Sequence, residues 1–476
     1  MARINTNVPS LTAQRGLTRS QRQLNDTLQR LSTGLRINRG ADDPAGLIAS
    51  EGLRSETAGI RQGIDNSARA SNVIATAEGA LSEVASLLLN IKALIVQAAN
   101  SGAFSPDEVR ANQLQIDSAV DSITRISNTT TFAGLKLLNG NLDYLTSGVD
   151  TTIIRALDIY QANFGTNTNI PVQVNVLTSA RPAQLSFATS SIGNSVTLEI
   201  TGNDGVTVLT FVSGTNASAI AYAVNRVSDS TGVKARLINS GNAASGITFE
   251  SVGYGSKSFV SVKAKSGTFP VTNTSGATVQ RAIGDDATAT INGALTVGDG
   301  LSLTLNTSGL NLRLTLDKDF GIGQTSFAIT GGGALFQLGP QVTSNQQVNV
   351  GIQSISASNL GNSDVGFLTD LVTGGNSSLV SGNARKASDI IEVAIRQVAV
   401  LRGRLGAFER NTLQTNVNSL SVALENVTAS ESQIRDADFA METSNLTRAQ
   451  ILTQAGTSVL ATANSTPQAV LQLLQR

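Results

Sequence analysis

The chain has 476 residues, 40% hydrophobic but only 4% aromatic, with no Trp, and its 34 basic and 34 acidic residues balance. That balance provides no bulk charge for holding nucleic acid. Neither Cys nor His is present, which removes disulfides, thiolate nucleophiles, Ser-His-Asp and Cys-His triads and the HExxH zinc site. An enzyme would be left with carboxylate, Ser–Lys or Tyr chemistry. No catalytic residue, cofactor or metal site is assigned.

At the N-terminus, MARINTNVPSLTAQRGL lacks a continuous apolar core and a small-residue cleavage site, so no cleaved secretory signal is expected. Residues 1–40 hold seven arginines (3, 15, 19, 22, 30, 36 and 39) against Asp26. An organellar transit peptide fits that bias, and a basic amphipathic helix that meets a partner fits it better. Leu17, Leu24, Leu28, Leu31 and Leu35 share one helical stripe. Asp42-Asp43-Pro44 offers two carboxylates without a third ligand. An N-cap at Asp43 with Pro44 at the first helical position explains the triplet better than a metal pair.

From Val73 the apolar positions Ala77, Ala80, Val84, Leu87, Ile91, Leu94 and Ala98 step by four and three, the spacing of a coiled-coil seam. Ser105-Pro106-Asp107-Glu108 reads as a capping box opening a second helix through Val109, Ile116, Val120 and Ile123. No apolar run approaches the roughly 20 residues that span a bilayer, so no membrane contact is expected.

Residues 166–333 change character, with short alternating runs rich in Gly, Thr, Ser and Val. SVTLEITGNDGVTVLTFVSG predicts two strands about Asn203-Asp204-Gly205, where Asp-Gly supplies the positive φ of a hairpin turn. ASAIAYAVNRVSDSTG predicts a short helix. GITFESVGYGSKSFVSVKA and LSLTLNTSGLNLRLTL predict further hairpins. GYGSKS has the wrong spacing for a phosphate loop and reads as a turn. Asn216 and Asn273 head Asn-x-Ser/Thr triplets, the kind a Ser- and Thr-rich chain forms by chance.

The helical pattern returns at Ile391, Ala394, Val398, Leu401, Leu405 and Phe408, slips in phase, and resumes at Val417, Leu420, Leu424, Val427 and Ile434. Two striped segments so far apart imply helices that pack together, with the middle inserted. Between Arg448 and Arg476 no side chain is charged, and eight large aliphatics (including Leu452, Val459, Leu460, Leu473 and Leu474) sit among Ala, Gln, Ser and Thr. Ala449, Leu452, Gly456, Val459 and Ala463 form its predicted stripe. Eight aliphatics do not offset the ordering of 26 residues, so this tail is expected to order only against matching stripes of its own chain and of neighbours.

RLSTGLRINRGADDPAGLIAS (30–50), ATAEGALSEV (75–84), TTFAGLKLLNG (130–140) and RAQILTQAGTSVLATANSTPQAVLQLL (448–474) resemble bacterial flagellin. So does ALFQLGPQVTSNQQVNVGIQSISASNLG (334–361), which is similar to the family's inner-domain return strands. The segment around 192–265 resembles a small β-rich insertion of some flagellins and hook proteins. The resemblance covers about the first and last 140 residues, at the matching ends.

It implies a multi-domain α+β chain, mainly α at both termini, with long coiled-coil-like paired helices and an inserted β-rich outer region. The implied segments are 1–43 and 433–476 for the filament core, 44–165 and 334–432 for the inner rod, and 166–333 for the outer domains. It also implies a homopolymeric extracellular filament used in motility, exported unfolded by the flagellar type III route. Hook-associated junction and cap proteins and an export chaperone at the C-terminal region are the implied partners. Leu24, Leu28, Leu31, Leu35, Arg36, Asp42, Asp43, Leu452, Val459, Leu460, Leu473 and Leu474 are the self-assembly candidates. Arg36 and Arg39 are expected to contact carboxylates of neighbouring subunits, and Glu431, Asp436, Asp438 and Glu442 to face the basic N-terminus.

The stretch 87–97 aligns with the family's innate-immune receptor site. Family members sensed by that receptor have arginine where this chain has Asn90, and glutamate where it has Gln115; Leu94 and Gln97 match. Two missing charge-assisted hydrogen bonds, about 1.5–3 kcal/mol each, imply poor recognition. Among rival readings, a hook–filament junction protein shares the helical ends but not the strong QAGTSVL…PQAVLQLL ending. A coiled-coil adhesin needs an anchor or signal, and an inserted zinc protease needs His.

Overall fold

The computed structural model describes residues 6–474 apart from 101, 103, 166, 240, 243 and 244, with side chains as far as residue 465. Its helices are α1 Val8–Thr33, α2 Pro44–Ala99, α3 Pro106–Thr129, α4 Ala217–Arg226, α5 Ser228–Thr231, α6 Ala384–Phe408, α7 Thr415–Arg435 and α8 Phe439–Leu474. Every strand among the described residues lies between Thr131 and Phe367. The architecture is therefore the expected α+β one, helical at both ends. It divides into two compact units: Met1–Arg69 with Gln337–Val342 and Asn411–Arg476, and Ala70–Phe336 with Thr343–Arg410.

In the first unit α1 and α8 run antiparallel. Asn7 Nδ2 donates to the Ala463 carbonyl at 2.9 Å near one end, and Arg30 Nη1 donates to Glu442 Oε1 at 3.1 Å near the other. Asn7 also caps α1 by accepting from Ser10 N, and Gly34 closes the helix at φ 73°, a conformation that costs glycine no Cβ clash. Residues 44–69 of α2 run antiparallel to α7, with Glu51 on Arg435, Arg54 near Glu431 and Ser67 on Asn416. The loop 337–342 lies in a groove of α2 made by Gly59 and Gly63, where an added Cβ would come within 2.9 Å of Pro340 Cβ and 3.0 Å of the Leu338 carbonyl.

The predicted phase slip has a physical form. A π-helical turn, Glu409–Gln414, separates α6 from α7 and buries Leu413. Such a wide turn shifts every later side chain around the helix, so Val417 restarts the stripe that ends at Phe408.

In the second unit the remaining α2 residues, α3 and α6 bury continuous stripes. On α2 these are Ile74, Ala77, Leu81, Val84, Leu88, Ile91, Ile95 and Ala98. Ala77, Val84, Ile91 and Ala98 follow the predicted seam, but Ala80, Leu87 and Leu94 are only half-buried and their neighbours Leu81, Leu88 and Ile95 replace them. Each is an adjacent apolar pair, and a 3.5-residue spacing fits either member. The capping box at Ser105 and Glu108 forms as expected. The expectation of no bilayer-length apolar run needs correcting: by length and composition alone, α2 is long and apolar enough to cross a membrane. Its apolar side chains include the buried stripe just described.

Two β bodies follow, one nested in the other. The first packs a five-stranded antiparallel sheet against a four-stranded one around Val172, Val174, Ile291, Leu303, Leu312 and Leu314. It includes Tyr144–Ser147 and Ile154–Ala162, so its core begins well before residue 166. The predicted hairpin of Ser302–Asn306 with Leu310–Leu316 lies in it. The second body, roughly 180–283, is inserted between Thr178 and Thr288, which pair with each other.

That second body has a three-stranded sheet (Pro182–Phe187, Ile247–Tyr254, Val233–Leu237) and a four-stranded one (Arg281–Ile283, Phe259–Ser266, Val196–Thr201, Val206–Phe211). With α4 they enclose Leu185, Phe187, Ile220, Phe249 and Val262, and the Phe187 and Phe269 rings stack at 3.9 Å. The helix predicted at 217–232 is present as α4 and α5. Two hairpin expectations need correction. Ile247–Tyr254 and Phe259–Ser266 do not pair but enter different sheets, because the Gly255–Ser258 turn carries the chain across the core. The 196–211 hairpin does form, yet Gly205 is not at positive φ. Glycine is required there by close approach: a Cβ on Gly202 or Gly205 would sit 2.3 Å from the Thr231 carbonyl or 2.6 Å from the Ser230 carbonyl.

Candidate assembly surface

The α1–α8 pair forms a regular seam. Ala13, Leu17, Ser20, Leu24, Thr27 and Leu31 of α1 step by four and three, and so do Glu442, Leu446, Ala449, Thr453, Gly456, Leu460 and Ala463 of α8. Only Thr27, Glu442 and Ala449 of these are buried, so the seam is narrow and its flanks are open. Gly456 permits close approach, since its missing Cβ would lie 3.3 Å from Leu17 Cδ1.

The tail stripe predicted through Leu452 and Val459 is rotated relative to this seam. Ala449, Gly456 and Ala463 face α1, and Leu460 takes the place given to Val459. Leu452 is 45% exposed and Val459 57%, and together with Met441 they form a second stripe on the outer side of α8. Steps of seven from Leu452 to Val459 and of eleven back to Met441 are close to two and three whole helical turns, which keeps all three on one face. Two apolar stripes on neighbouring faces of one helix blurred the prediction, and Met441 was missed by it. Leu24 and Leu31 face α8, whereas Leu28 is exposed. Leu473 and Leu474 lie outside the described side chains.

The charged candidates are engaged within the chain. Leu35 pairs by its backbone with Asp436; Arg36 N donates to the Arg435 carbonyl at 2.7 Å, its guanidinium donates to the Ile434 carbonyl, and its Nη1 lies 3.9 Å from Asp43. Arg39 lies 3.9 Å from Asp26. Asp42 Oδ2 accepts from the amides of Arg39 at 2.8 Å and Asn38 at 3.0 Å, and those bonds hold its pKa below the usual carboxylate range. Asp43 Oδ1 accepts from Gly46 N at 2.9 Å, capping α2 as its position before Pro44 suggests.

Among the described residues, Glu442 is the one member of the acidic group that meets an N-terminal arginine. Its side chain is 8% exposed and its partner Arg30 34%. Glu431 lies 3.6 Å from Arg54, Asp436 accepts from Ser432 Oγ, and Asp438 caps α8 through Ala440 N and Met441 N. In the second unit Asn90, Gln97 and Gln115 are exposed and Leu94 is half-buried. No group of three or more metal-ligating side chains occurs among the described residues.

Three comparisons with known proteins bear on this arrangement. The bacterial flagellin N-terminal helical region matches residues 4–143, the flagellin C-terminal helical region 388–474, and the flagellin hook IN motif 197–253. The chain is 30% identical to B-type flagellin of Pseudomonas aeruginosa over 534 aligned residues, 29% to a flagellin of Salmonella rubislaw over 504, and 28% to flagellin A of Helicobacter pylori over 535. Each alignment covers 99% of both chains. The chain belongs to the bacterial flagellin family: it is a structural subunit of the flagellar filament and not an enzyme.

Proposed function

We propose that the chain self-assembles into a helical homopolymer through the outward stripe of α8. One observation carries this: α8 already has a partner on its inner face, yet Met441, Leu452 and Val459 remain on the outer one. A repeating apolar line on a helix otherwise free of charge from residue 449 onward matches the same surface in further copies. α1 contributes Val8, Leu11 and Leu28, all exposed.

The polymer is extracellular, propels the cell, and is reached by unfolded export through the flagellar type III route. A marginal α1–α8 seam suits that route, because few buried side chains have to be undone. Junction and cap proteins at the filament ends and an export chaperone on the C-terminal helix are the proposed hetero-partners. The innate-immune flagellin receptor is engaged poorly, since Asn90 and Gln115 supply no charge; a reporter-cell response matching that of a strongly stimulating flagellin would refute this.

The direct test is Leu452→Glu with Val459→Glu. Both side chains are outside the seam, so the monomer is expected to keep the stability of the parent chain. Burying two carboxylates between copies is strongly unfavourable, and no sedimentable polymer is expected at about ten times the parent's critical concentration, equivalent to ~1.4 kcal/mol. Filaments of normal length at the parent's concentration would sink the proposal.

A further inference from the structure

The second β body has four sheet edges, and three of them are protected. Val233–Leu237 carries Lys234 and Arg236. Pro182–Phe187 begins with proline, and Ser186 exchanges backbone hydrogen bonds of 2.8 and 2.9 Å with Thr272. Arg281–Ile283 is three residues long, with the Arg281 guanidinium 4.1 Å from the centre of the Phe259 ring. Charges, prolines and short lengths are the usual means of keeping an edge from pairing with another chain.

The fourth edge, Val206–Phe211, has none of them. Its six residues, VTVLTF, include no charge and no proline, and its outer side is unpaired in the sheet order. Val206 is 58% exposed and Val208 54%. The nearest charge on that face, Glu199 opposite Val208, is held by Lys265 at 2.6 Å.

We propose that Val206–Phe211 pairs antiparallel with the same strand of a second copy on the same filament, making one continuous sheet across two chains. This rests on the polymer reading, which brings copies of the β body together at high local concentration. The occupant follows from charge: every other full-length edge of this body bears a cation or is already bonded, so the uncharged strand that matches this one is its own counterpart. The register follows from the pleat. Exposed Val206, Val208 and Thr210 must oppose exposed residues, which a pairing centred on Val208 satisfies by setting Val208 against Val208 and Val206 against Thr210. Such a contact is two-fold, whereas successive filament subunits are related head to tail. The pairing therefore requires the two bodies of a pair to be turned differently on their own chains, and it ties them in twos.

The chain's lack of Cys makes the test direct. Val208→Cys places two thiols on directly opposite residues, at the separation a disulfide spans. Val252→Cys is the control, exposed on a strand flanked on both sides. Filaments of each are sedimented, oxidised and run without reductant. A majority of disulfide dimer is expected for Val208→Cys, little for Val252→Cys, and a yield that does not change when the filaments are diluted tenfold. Sedimenting filaments without dimer, equal dimer in both variants, or a yield that falls on dilution would overturn the pairing alone. Failure of the unmodified chain to sediment would count against the polymer reading and take this proposal with it. As a second arm, Val208→Lys should sediment normally while electron microscopy shows the outer bodies unpaired; bodies still paired would also overturn it.

Discussion

Helices of both units carry apolar stripes, and the two units treat them differently. In residues 70–99 of α2 the stripe is closed, with Ile74, Leu81, Val84, Leu88 and Ile91 fully buried. In the first unit α7 offers an equally regular stripe, yet Val417, Leu420, Leu424, Val427 and Ile434 are only half-buried, and α1 and α8 resemble α7. The difference teaches that a heptad stripe records a face that needs covering. Whether the cover comes from the same chain is not in the stripe. In the second unit the chain supplies it; in the first much of the stripe stays open, and that is the surface the proposed polymer would cover.

The largest effect should separate the two regions. Leu88→Ala removes a fully buried side chain and is expected to cost about 2–5 kcal/mol. Leu24→Ala, at the half-open α1–α8 seam, is expected to cost the monomer under about 1.5 kcal/mol, roughly half a buried leucine, and to weaken polymerisation instead. Urea unfolding of the monomers measures the first quantity and sedimentation the second. Equal losses in the monomer would break the comparison.

A second pair of substitutions sharpens it within the first unit. Alanine in place of a helical glycine gains about 1 kcal/mol of helix propensity. At Gly59 the new methyl meets Pro340 Cβ at 2.9 Å and the Pro340 carbonyl at 3.1 Å, and a proline backbone cannot swing aside. Overpacking of about 1–3 kcal/mol should outweigh the propensity, so Gly59→Ala destabilises. At Gly456 the tightest neighbour is the flexible end of Leu17 at 3.3 Å. Gly456→Ala should therefore stabilise the α1–α8 pair by under about 1 kcal/mol. Amide exchange in α2 and α8 reads the two signs; the same sign at both sites would show that the 337–342 loop on α2 and the α1–α8 pair are packed equally tightly.

Arg30→Ala comes next. It strands the nearly buried Glu442 carboxylate, whose other oxygen has no hydrogen-bond partner. A loss of about 1–2 kcal/mol is expected, discounted because Arg30 is one-third exposed. Arg30→Ala with Glu442→Gln should recover part of it. If the double variant exchanges its α8 amides no more slowly than the single one, the pair is not what anchors that end.

Much of this was legible in the sequence. The capping box at Ser105, the N-cap at Asp43, the phase slip after Phe408 and the division into helical ends and a β middle all follow from local chemistry. Four features did not. Adjacent apolar pairs such as Leu87-Leu88 leave the face of α2 ambiguous by one residue. The turn at Gly255–Ser258 looks the same whether it joins strands of one sheet or carries the chain between two. The second stripe of α8, through Met441, became visible only once α1 had claimed the first. The place of Arg36 within its own chain was hidden as well, since its neighbours in sequence do not reveal that residues 434 and 435 lie beside it.

The smallest effect concerns charge in the closed region. Asp143 is partly buried in the second unit, and burial pushes its pKa up, with nearby Asp158 adding to the rise; the Tyr144 amide at 2.8 Å and the Arg404 charge oppose it without cancelling it. A carboxyl raised in the folded state binds a proton more tightly folded than unfolded. Its contribution to stability is therefore full below the unfolded value, about 3.9, and is lost as pH rises through the folded value. At pH 7 the ionised group works against the fold. Asp143→Asn keeps an oxygen for the Tyr144 amide and removes the charge, so its urea midpoint should exceed the parent's slightly at pH 7 and match it near pH 3. A surface carboxylate in the first unit such as Asp42, whose pKa lies below the usual range, should give the opposite sign. With its charge removed in Asp42→Asn, the midpoint should fall at pH 7 and converge with the parent in acid. Parallel curves for both variants would mean that neither region distinguishes a buried charge from an exposed one.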